Sequence, residues 1–230
     1  MALLGSAAIA MWWDIAAPVR AAFEDWHSHE HFPERMGIPG FRRGSRWAEM
    51  GGGEGFFVLY ELQDYETLAS PGYLARLNDP TPWSARMMPH HRNMVRSQCR
   101  TLDSFGGGIG QFMATLRLSP APGREDGLRG HIRAALSDLP DRPGLTGGHL
   151  LRTETPPLAQ TTEQRIRGGD AVADWIVLLS GYDADAVALV QHSRLGAAAL
   201  IAAGAAAAPQ AATYRLSHSL AATDLNGAAP

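Results

Sequence analysis

The same order of predicted elements occurs twice along this chain, and two fixed offsets relate the occurrences. At an offset of 104 residues, the matched pairs are His27 with His131, Phe41 with Leu145, and Gly44 with Gly148. At an offset of 119 residues, they are residues 56–59 with 175–178, Asp64 with Asp183, and Arg96 with Arg215. Offsets that hold over separated positions indicate an internal repeat, so both halves are expected to fold alike.

Hydrophobic periodicity predicts the elements of each copy. In the first copy they are a strand at 7–15, a helix at 18–35, strands at 41–49 and 55–62, a helix at 65–77 and a strand at 93–103. In the second copy they are a strand at 111–119, a helix at 124–138, strands at 145–154 and 174–181, a helix at 184–207 and a strand at 212–221. The linker Gly106-Gly107-Gly108 separates them, which places the two units at residues 1–108 and 109–230.

Each copy has the order β-α-β-β-α-β, which is that of the ferredoxin-like fold. The predicted fold class is therefore α+β, with two tandem ferredoxin-like units whose antiparallel sheets form a dimeric-α+β-barrel-like body. Joining the two sheets covers strand edges that would otherwise be open to other chains. The two offsets differ by 15 residues, which locates an insertion between Gly148 and Trp175. Pro156-Pro157 and the polar run 160–170 predict a long hairpin loop there.

Composition excludes several classes of function. All 20 basic residues are Arg, so chemistry that needs a lysine, such as a Schiff base or a phosphate loop, is ruled out. A net charge of -3 gives no basic surface for nucleic acid. Cys99 is the only cysteine, so nothing requires an oxidising compartment and the expected location is cytoplasmic. No apolar tract reaches the roughly 20 residues needed to cross a bilayer, so no membrane association is expected.

The densest polar signature lies in the first predicted helix, at residues 26–35. Helical spacing puts four of its side chains on one face, next to the apolar stripe that includes Trp26. These four are His27, Glu30, His31 and Glu34. They are expected at the edge of a cleft between helix and sheet.

This helix and the strand after it resemble the EthD-like members of the dimeric α+β barrel superfamily. The resemblance covers the first copy and rests on Trp26-His27, Glu30-His31, Pro33-Glu34-Arg35 and the Gly-Phe-Arg-Arg sequence at 40–43. It implies a pocket between helices and sheet. It also implies a function among the small-molecule monooxygenases, lyases, cyclases and haem-binding enzymes of that superfamily.

Three interpretations of the helix remain open at this point. In the first, His27 or His31 is a general acid or base, and Glu30 fixes the ring tautomer through a hydrogen bond. In the second, the His27-x-x-Glu30-His31 spacing binds a metal ion. In the third, the polar side chains pair with Arg35, Arg42 and Arg43 and merely tie the helix to the strand.

A second group of side chains is predicted to contact a substrate. Arg42, Arg43 and Tyr60 are expected to orient a polar substituent, and Trp26, Trp83, His90 and His91 to line the mouth of the pocket. The second copy has Gly130, Ala134 and Ala135 where the first has Trp26, Glu30 and His31, and only His131 persists. One pocket per chain, in the first half, is therefore expected.

The leading functional hypothesis is an EthD-like enzyme that acts on a small apolar or aromatic molecule with His27 or His31 as acid or base and Glu30 as the supporting carboxylate. Its reaction would be an oxygenation without a dedicated cofactor, a lyase step or an isomerisation. No cofactor and no metal are expected, and a homodimer is compatible with this interpretation. The alternative is a non-catalytic small-ligand or haem-binding module, with a histidine as axial ligand.

Overall fold

Eight antiparallel strands form the framework of the molecule. The computed structural model describes residues 3–154 and 160–225. The strands are β1 (Ala7–Asp14), β2 (Phe41–Glu49), β3 (Gly55–Leu62), β4 (Arg92–Gly106), β5 (Phe112–Leu118), β6 (Leu145–Thr153), β7 (Trp175–Gly181) and β8 (Gln210–Ala221). They follow the order β1-β3-β2-β8-β5-β7-β6-β4 in a closed barrel, so the order β4-β1-β3-β2 is repeated as β8-β5-β7-β6. This confirms the predicted α+β fold class.

Short helices connect the strands. They are α1 (Arg20–Trp26), α2 (Phe32–Met36), α3 (Pro71–Asn78), α4 (Pro82–Met87), α5 (Glu125–Leu136), α6 (Thr162–Arg167), α7 (Ala184–His192), α8 (Ala197–Ala203) and α9 (Ala222–Leu225). A π-helical turn, His27–His31, joins α1 to α2. No single helix among the described residues is long and apolar enough to cross a membrane. Helices α7 and α8, which meet at a bend of 44°, reach that length and apolar character only when they are taken together.

The pairing of strands shows the repeated pattern in detail. Strand β3 pairs with β1 and β2, and β7 pairs with β5 and β6, all antiparallel. The register of β2 shifts between Phe41 and Arg43, and that of β6 shifts between Leu145 and Gly147. These two irregularities are 104 residues apart, the offset found in the sequence. A tandem duplication stays a prediction that this pattern motivates.

Contacts divide the chain into two compact units, each assembled from three stretches. The first unit contains Leu4–Cys99, Glu154–Val172 and Ser217–Pro230, and its core is rich in aromatic side chains such as Trp26 and Phe56. The second unit contains Met1–Leu3, Arg100–Thr153 and Ala173–Leu216, and its core is mainly aliphatic. The boundary between residues 108 and 109 stays a prediction, because these units follow spatial contacts rather than chain order.

Several elements differ from the predictions. The helix expected at 184–207 is broken into α7 and α8, since Gly196 caps the second helix in extended backbone. The helix expected at 65–77 is a 3-10 turn at Tyr65–Ala69 followed by α3. Helix α4 was not predicted, although Thr81 caps it and Pro82 stands in its first turn, where a proline is tolerated. The loop expected around 156–170 contains α6; residues 156–159 of that prediction lie outside the described part of the chain.

Candidate functional site

The helix that carries the polar signature changes its winding where the signature begins. Residues His27–His31 form a π-helical turn, in which the backbone N–H of Phe32 donates to the carbonyl of His27. Pro33 follows at once and has no N–H to donate to the carbonyl of His29, so a regular α-helical bond is missing there. Single π turns of this kind are often found at functional sites, and this one sets the directions of the side chains around it.

Within the turn, His27 and His31 point inward among aromatic rings. His27 is 1% exposed and His31 8% exposed, and their rings stack with centroids 5.3 Å apart. Phe32 meets His27 edge-on at 4.4 Å, and Trp26 lies 4.7 Å from His31. Trp13 lies 5.8 Å from His27. Both imidazoles are therefore held in an apolar, aromatic environment.

A small cavity opens beside these two rings, entirely within the first unit. Its volume is about 30 Å³, or about 460 Å³ when the space open to solvent at its mouth is included. The smaller figure is room for about two water molecules. Apolar side chains, among them Trp13, Trp26, Met88 and Met94, make up much of the wall. The polar side chains in the wall are His27, His31, Arg35, Tyr60, Tyr73, His91, Arg96, Glu163 and Arg167.

The imidazoles beside the cavity are neutral at pH 7. Burial, followed by the neighbouring His31, lowers the pKa of His27 well below its ordinary value; burial and the Arg35 charge do the same for His31. Burial and Arg167 lower the pKa of His91 to about 3. Nδ1 of His27 and Nδ1 of His31 are buried and have no hydrogen-bond partner among the described residues. Nδ1 of His31 lies 3.9 Å from Glu34 Oε2, which is too far for a hydrogen bond. Each of the two rings therefore has one ring nitrogen without a hydrogen bond.

The third imidazole, His91, is held by the backbone. Its Nδ1 lies 3.0 Å from the carbonyl oxygen of Met88, an acceptor, so Nδ1 carries the proton and Nε2 is the basic nitrogen. Its ring lies 5.0 Å from that of Trp13. Of the two neighbouring histidines predicted at the pocket mouth, the structure thus places His91 in the wall, while His90 is exposed and does not line the cavity.

Tyr60 projects from β3 into the same cavity. The residue is 2% exposed, and its hydroxyl oxygen has no hydrogen-bond partner in the described parts of the chain. Burial raises the pKa of Tyr60 above its ordinary value, so the phenol is un-ionised and remains a donor. An unpaired buried hydroxyl costs about 1–3 kcal/mol, which makes its direction toward a cavity informative.

Buried charges form a network on one side of the cavity. Arg35 Nη2 donates to Glu163, and Arg167 Nη1 lies 3.4 Å from the other oxygen of Glu163. Arg167 also binds Asp170, with 3.0 Å between Nη2 and Oδ2. Although burial opposes it, the Glu163 carboxylate raises the pKa of Arg35. Arg35 is therefore firmly cationic at the cavity wall, and Arg167 is held there by two carboxylates.

Arg96 differs from these two arginines. Its Nη2 donates to the hydroxyl of Tyr73 over 2.7 Å, and within residues 3–154 and 160–225 it makes no ion pair with a carboxylate. Its charge is balanced only at longer range, by Asp170 and Glu163. Among the three arginines that line the cavity, Arg96 is thus the one whose guanidinium directly contacts no carboxylate of the described residues.

Glu30 does not take the position predicted for it. Its Oε1 accepts hydrogen bonds from Trp26 Nε1 at 3.1 Å, Thr81 Oγ1 at 2.5 Å and Ser84 Oγ at 3.2 Å. The expected bond from Glu30 to an imidazole is absent from the described contacts, because the wider π turn rotates Glu30 away from His27. The carboxylate instead fastens α4 to the indole of Trp26.

The other predicted substrate contacts are divided between the cavity and the surface. Arg42 is exposed and donates to Gln63 Oε1 at 2.6 Å, while Arg43 is paired with Glu61 at 2.7 Å. Trp83 packs on the core of the first unit. None of these three lines the cavity, whereas Tyr60 and Trp26 do. A role in substrate contact for Arg42, Arg43 and Trp83 stays a prediction.

Sequence reasoning did not place Tyr73 or Arg96 in the site, and it also missed Glu163 and Arg167. The latter two come from α6, in the segment interpreted as an insertion, so the cavity is not built from the first sequence half alone. A signal for α6 was present, since Thr161 and Gln164 form a capping box, a spacing that marks the start of a helix. Nothing in the sequence indicated that α6 would complete this cavity.

His131, the one residue of the signature kept in the second copy, lies in α5 and its Nε2 bonds to the carbonyl of Arg194. Over the described residues, no cluster of three or more His, Cys, Asp or Glu side chains has a metal-binding arrangement.

Comparison with known proteins supports the fold and not a specific family. No protein-family model matches the chain, and no curated protein matches it. Among solved structures, an anthrone oxidase-like protein is similar over 98% of this chain and 97% of its own, with a TM-score of 0.67 and 13% identity.

Two further structures have the same fold. A putative monooxygenase from Fusobacterium nucleatum is similar over 95% of this chain and 96% of its own, with a TM-score of 0.63 and 8% identity. One from Lactobacillus acidophilus is similar over 94% and 97%, with a TM-score of 0.58 and 8% identity. These likenesses show a ferredoxin-like, dimeric α+β barrel fold.

Proposed function

We propose that this protein is an EthD-like enzyme in which His27 or His31 removes a proton from a small, largely apolar substrate. The observation that carries the proposal is the pair of buried, stacked imidazoles with unpartnered Nδ1 atoms beside a cavity. A tie between helix and strand would instead use those nitrogens in bonds to protein groups. Of the residues that resemble the EthD-like signature, Trp26, His27, His31, Arg35 and Phe41 are part of this wall.

The electrostatics of the cavity suit proton removal. A neutral imidazole is the basic form, and the lowered pKa values keep both rings in that form at pH 7. The nearby arginine charges disfavour an imidazolium in the empty site and favour a negative charge on a substrate. When a proton passes from substrate to imidazole, the two opposite charges form together, and each offsets the cost of the other.

The names of the similar structures suggest a first test substrate. Anthrone, named in the anthrone oxidase-like protein, is an apolar ketone with an acidic C–H. Loss of that proton leaves an enolate that can react with dioxygen; overall, anthrone and O2 give anthraquinone and water. Oxygenation, lyase and isomerase reactions of such ketones all begin with this proton removal, so the proposal concerns the shared step.

Proton removal can be measured without dioxygen. We expect the protein to accelerate exchange of the acidic C–H of anthrone with D2O under anaerobic conditions, followed by NMR, and to consume O2 when air is admitted. Replacing the catalytic residue, as His27→Ala or His31→Ala, should lower the rate about 100-fold or more, the usual effect of losing a general base. His90→Ala, which alters an exposed side chain outside the cavity, is the matched control.

The outcome of these assays decides the proposal. If both single variants exchange the proton as fast as the original protein, the imidazoles are not the base.

A cavity of about 30 Å³ is too small for anthrone, so binding must be coupled to movement of the wall. We therefore expect anthrone to bind slowly and the rate of exchange to saturate with anthrone concentration at a low value.

The proposed chemistry needs no resident cofactor. Enolates of this kind react with dioxygen directly, and the residues above supply the base and the counter-charge. The absorption spectrum of freshly purified protein tests this part, because a Soret band would favour the haem-binding alternative.

A further inference from the structure

The indole Nε1 of Trp13 is one buried, unsatisfied donor of a residue that lines the cavity, and two more such donors come from different elements. Tyr60, in β3, has a buried hydroxyl without a partner, and Arg35, in α2, has a buried Nη1 without a hydrogen bond. Arg35 Nη1 lies 3.6 Å from Glu34 Oε2, an ion-pair distance that is too long for a hydrogen bond. Nη2 of the same guanidinium is already bound to Glu163. One donor on each side chain is therefore left over.

Unsatisfied buried donors are costly, and several at one place need an explanation. A polar ligand that accepts hydrogen bonds from the Tyr60 hydroxyl and from Arg35 Nη1 would remove the free-energy cost of leaving these two donors unpaired. Both of these donors belong to residues that line the same cavity, as do His27 and His31 with their unpartnered Nδ1 atoms. The missing partner is thus an acceptor that enters from the cavity rather than another side chain.

Arg96 gives the cavity wall a charge that an anionic acceptor would offset. Three arginines line the cavity: Arg35 is paired with Glu163, Arg167 is paired with Glu163 and Asp170, and the Arg96 side chain has the Tyr73 hydroxyl as its direct partner in the described structure. Aromatic and methionine side chains form much of the rest of the wall, which suits a flat apolar body attached to the anionic oxygen.

We propose that the ligand of this cavity bears an acidic oxygen on a conjugated ring, bound as a phenolate or enolate between Tyr60 and Arg35. This inference rests on the proposed function in one respect: it assumes that the ligand bound here is the substrate, in the same cavity. It adds the substrate class and gives Tyr60 and Arg35 the role of holding the negative oxygen. Tyr60 donates its O–H and Arg35 donates from Nη1.

The test uses 4-nitrophenol, whose ionised form absorbs visible light. Binding to the protein should raise the ionised fraction at a fixed pH near neutrality, so the visible absorbance increases with protein concentration. The comparator is 4-nitroanisole, which has the same ring and no acidic proton. Adding 4-nitrobenzoate as a competitor tests a carboxylate instead, and preferential binding of the carboxylate would overturn the assignment to a phenolate.

Tyr60→Phe isolates the hydroxyl. Because a hydrogen bond to a charged group contributes about 1.5–3 kcal/mol, the variant should bind 4-nitrophenolate about 10- to 150-fold more weakly. Its affinity for 4-nitroanisole should not change. Without probe, its melting temperature should equal or exceed that of the original protein, since an unpaired buried hydroxyl is removed. Tyr182→Phe, at an exposed tyrosine of the second unit, is the control.

Failure of this inference is separable from failure of the proposed function. The probe has no acidic C–H, so its binding does not require His27 or His31 to act as a base. Bound 4-nitrophenol that stays protonated, or a Tyr60→Phe variant that binds the phenolate unchanged, overturns the oxyanion site. If the phenolate binds as expected while His27→Ala and His31→Ala keep full proton exchange, only the proposed function fails.

Discussion

His27 and His31 stack with their ring planes inclined by 29° and their centroids 5.3 Å apart. Two imidazolium ions at that distance would repel each other, and burial already disfavours either charge. The stack is therefore stable only while the rings are neutral. The arrangement ties the protonation of the site to the stability of the fold.

Stability should accordingly fall as the pH falls below about 6.5, the ordinary pKa of histidine. The folded-state pKa values of His27, His31 and His91 are lowered, so the unfolded chain binds protons there that the folded chain does not. Each such group removes about 1.4 kcal/mol per pH unit below that point; for His91 the loss continues to about pH 3. Urea unfolding at a series of pH values measures this dependence of the free energy of unfolding on pH.

The variant His91→Asn identifies the contribution of one ring. We expect the free energy of unfolding to depend less steeply on pH between about 6.5 and about 3 than in the original protein. His90→Asn, which changes the exposed neighbouring side chain, is the control. Equal slopes in all three proteins would mean that His91 is protonated in the folded state.

Gly44→Ala should destabilise the protein and disturb the site. A Cβ at this position would lie 2.7 Å from Phe32 Cδ1 and 2.8 Å from Tyr60 Cε1, which is too close for either ring to remain in place. Overpacking of this kind costs about 1–3 kcal/mol. Gly130→Ala is the control: its Cβ meets nothing within 4 Å in the middle of α5, so a gain of about 1 kcal/mol is expected. Thermal unfolding of both variants gives the comparison.

Removing one partner from the buried ion pair of Arg35 and Glu163 should be strongly destabilising. Their side chains are 3% and 4% exposed, so Glu163→Ala leaves a buried cation without its main partner and should cost about 3–5 kcal/mol. Arg92→Gln breaks the pair of Arg92 and Glu54, two side chains that are about half exposed, and should have little effect on stability. Comparable losses in chemical denaturation would contradict the inferred burial.

Glu30 is expected to act on structure rather than on the imidazoles. Glu30→Ala leaves Trp26 Nε1, Thr81 and Ser84 without their acceptor and should cost about 1–3 kcal/mol. Glu30→Gln keeps an acceptor oxygen and should lose less. The pH dependence of proton exchange with anthrone should be the same in Glu30→Gln as in the original protein. A shifted pH profile would instead support the hydrogen bond between Glu30 and a histidine that the sequence predicted.

The strand pattern was largely predictable because it depends on local properties. Alternating side chains and glycine turns predicted β2 and β3 with the bounds that the structure has, and the two offsets predicted that the strand order would repeat. The face of the first helix was predictable to the extent that His27, His31 and Trp26 lie inward. Each of these predictions needed only near neighbours in the chain.

The composition of the site was decided by tertiary structure. Glu163 is 128 residues from Arg35, and nothing in the spacing of either residue indicates that they meet. The π turn changed the direction of Glu30, and the register of β3 aimed Tyr60 inward. The sequence by itself determined which segments are strands and where imidazoles cluster along the chain, since periodicity and residue type act locally. Packing decided which charges surround them, because burial and pairing depend on atoms that are distant in the chain.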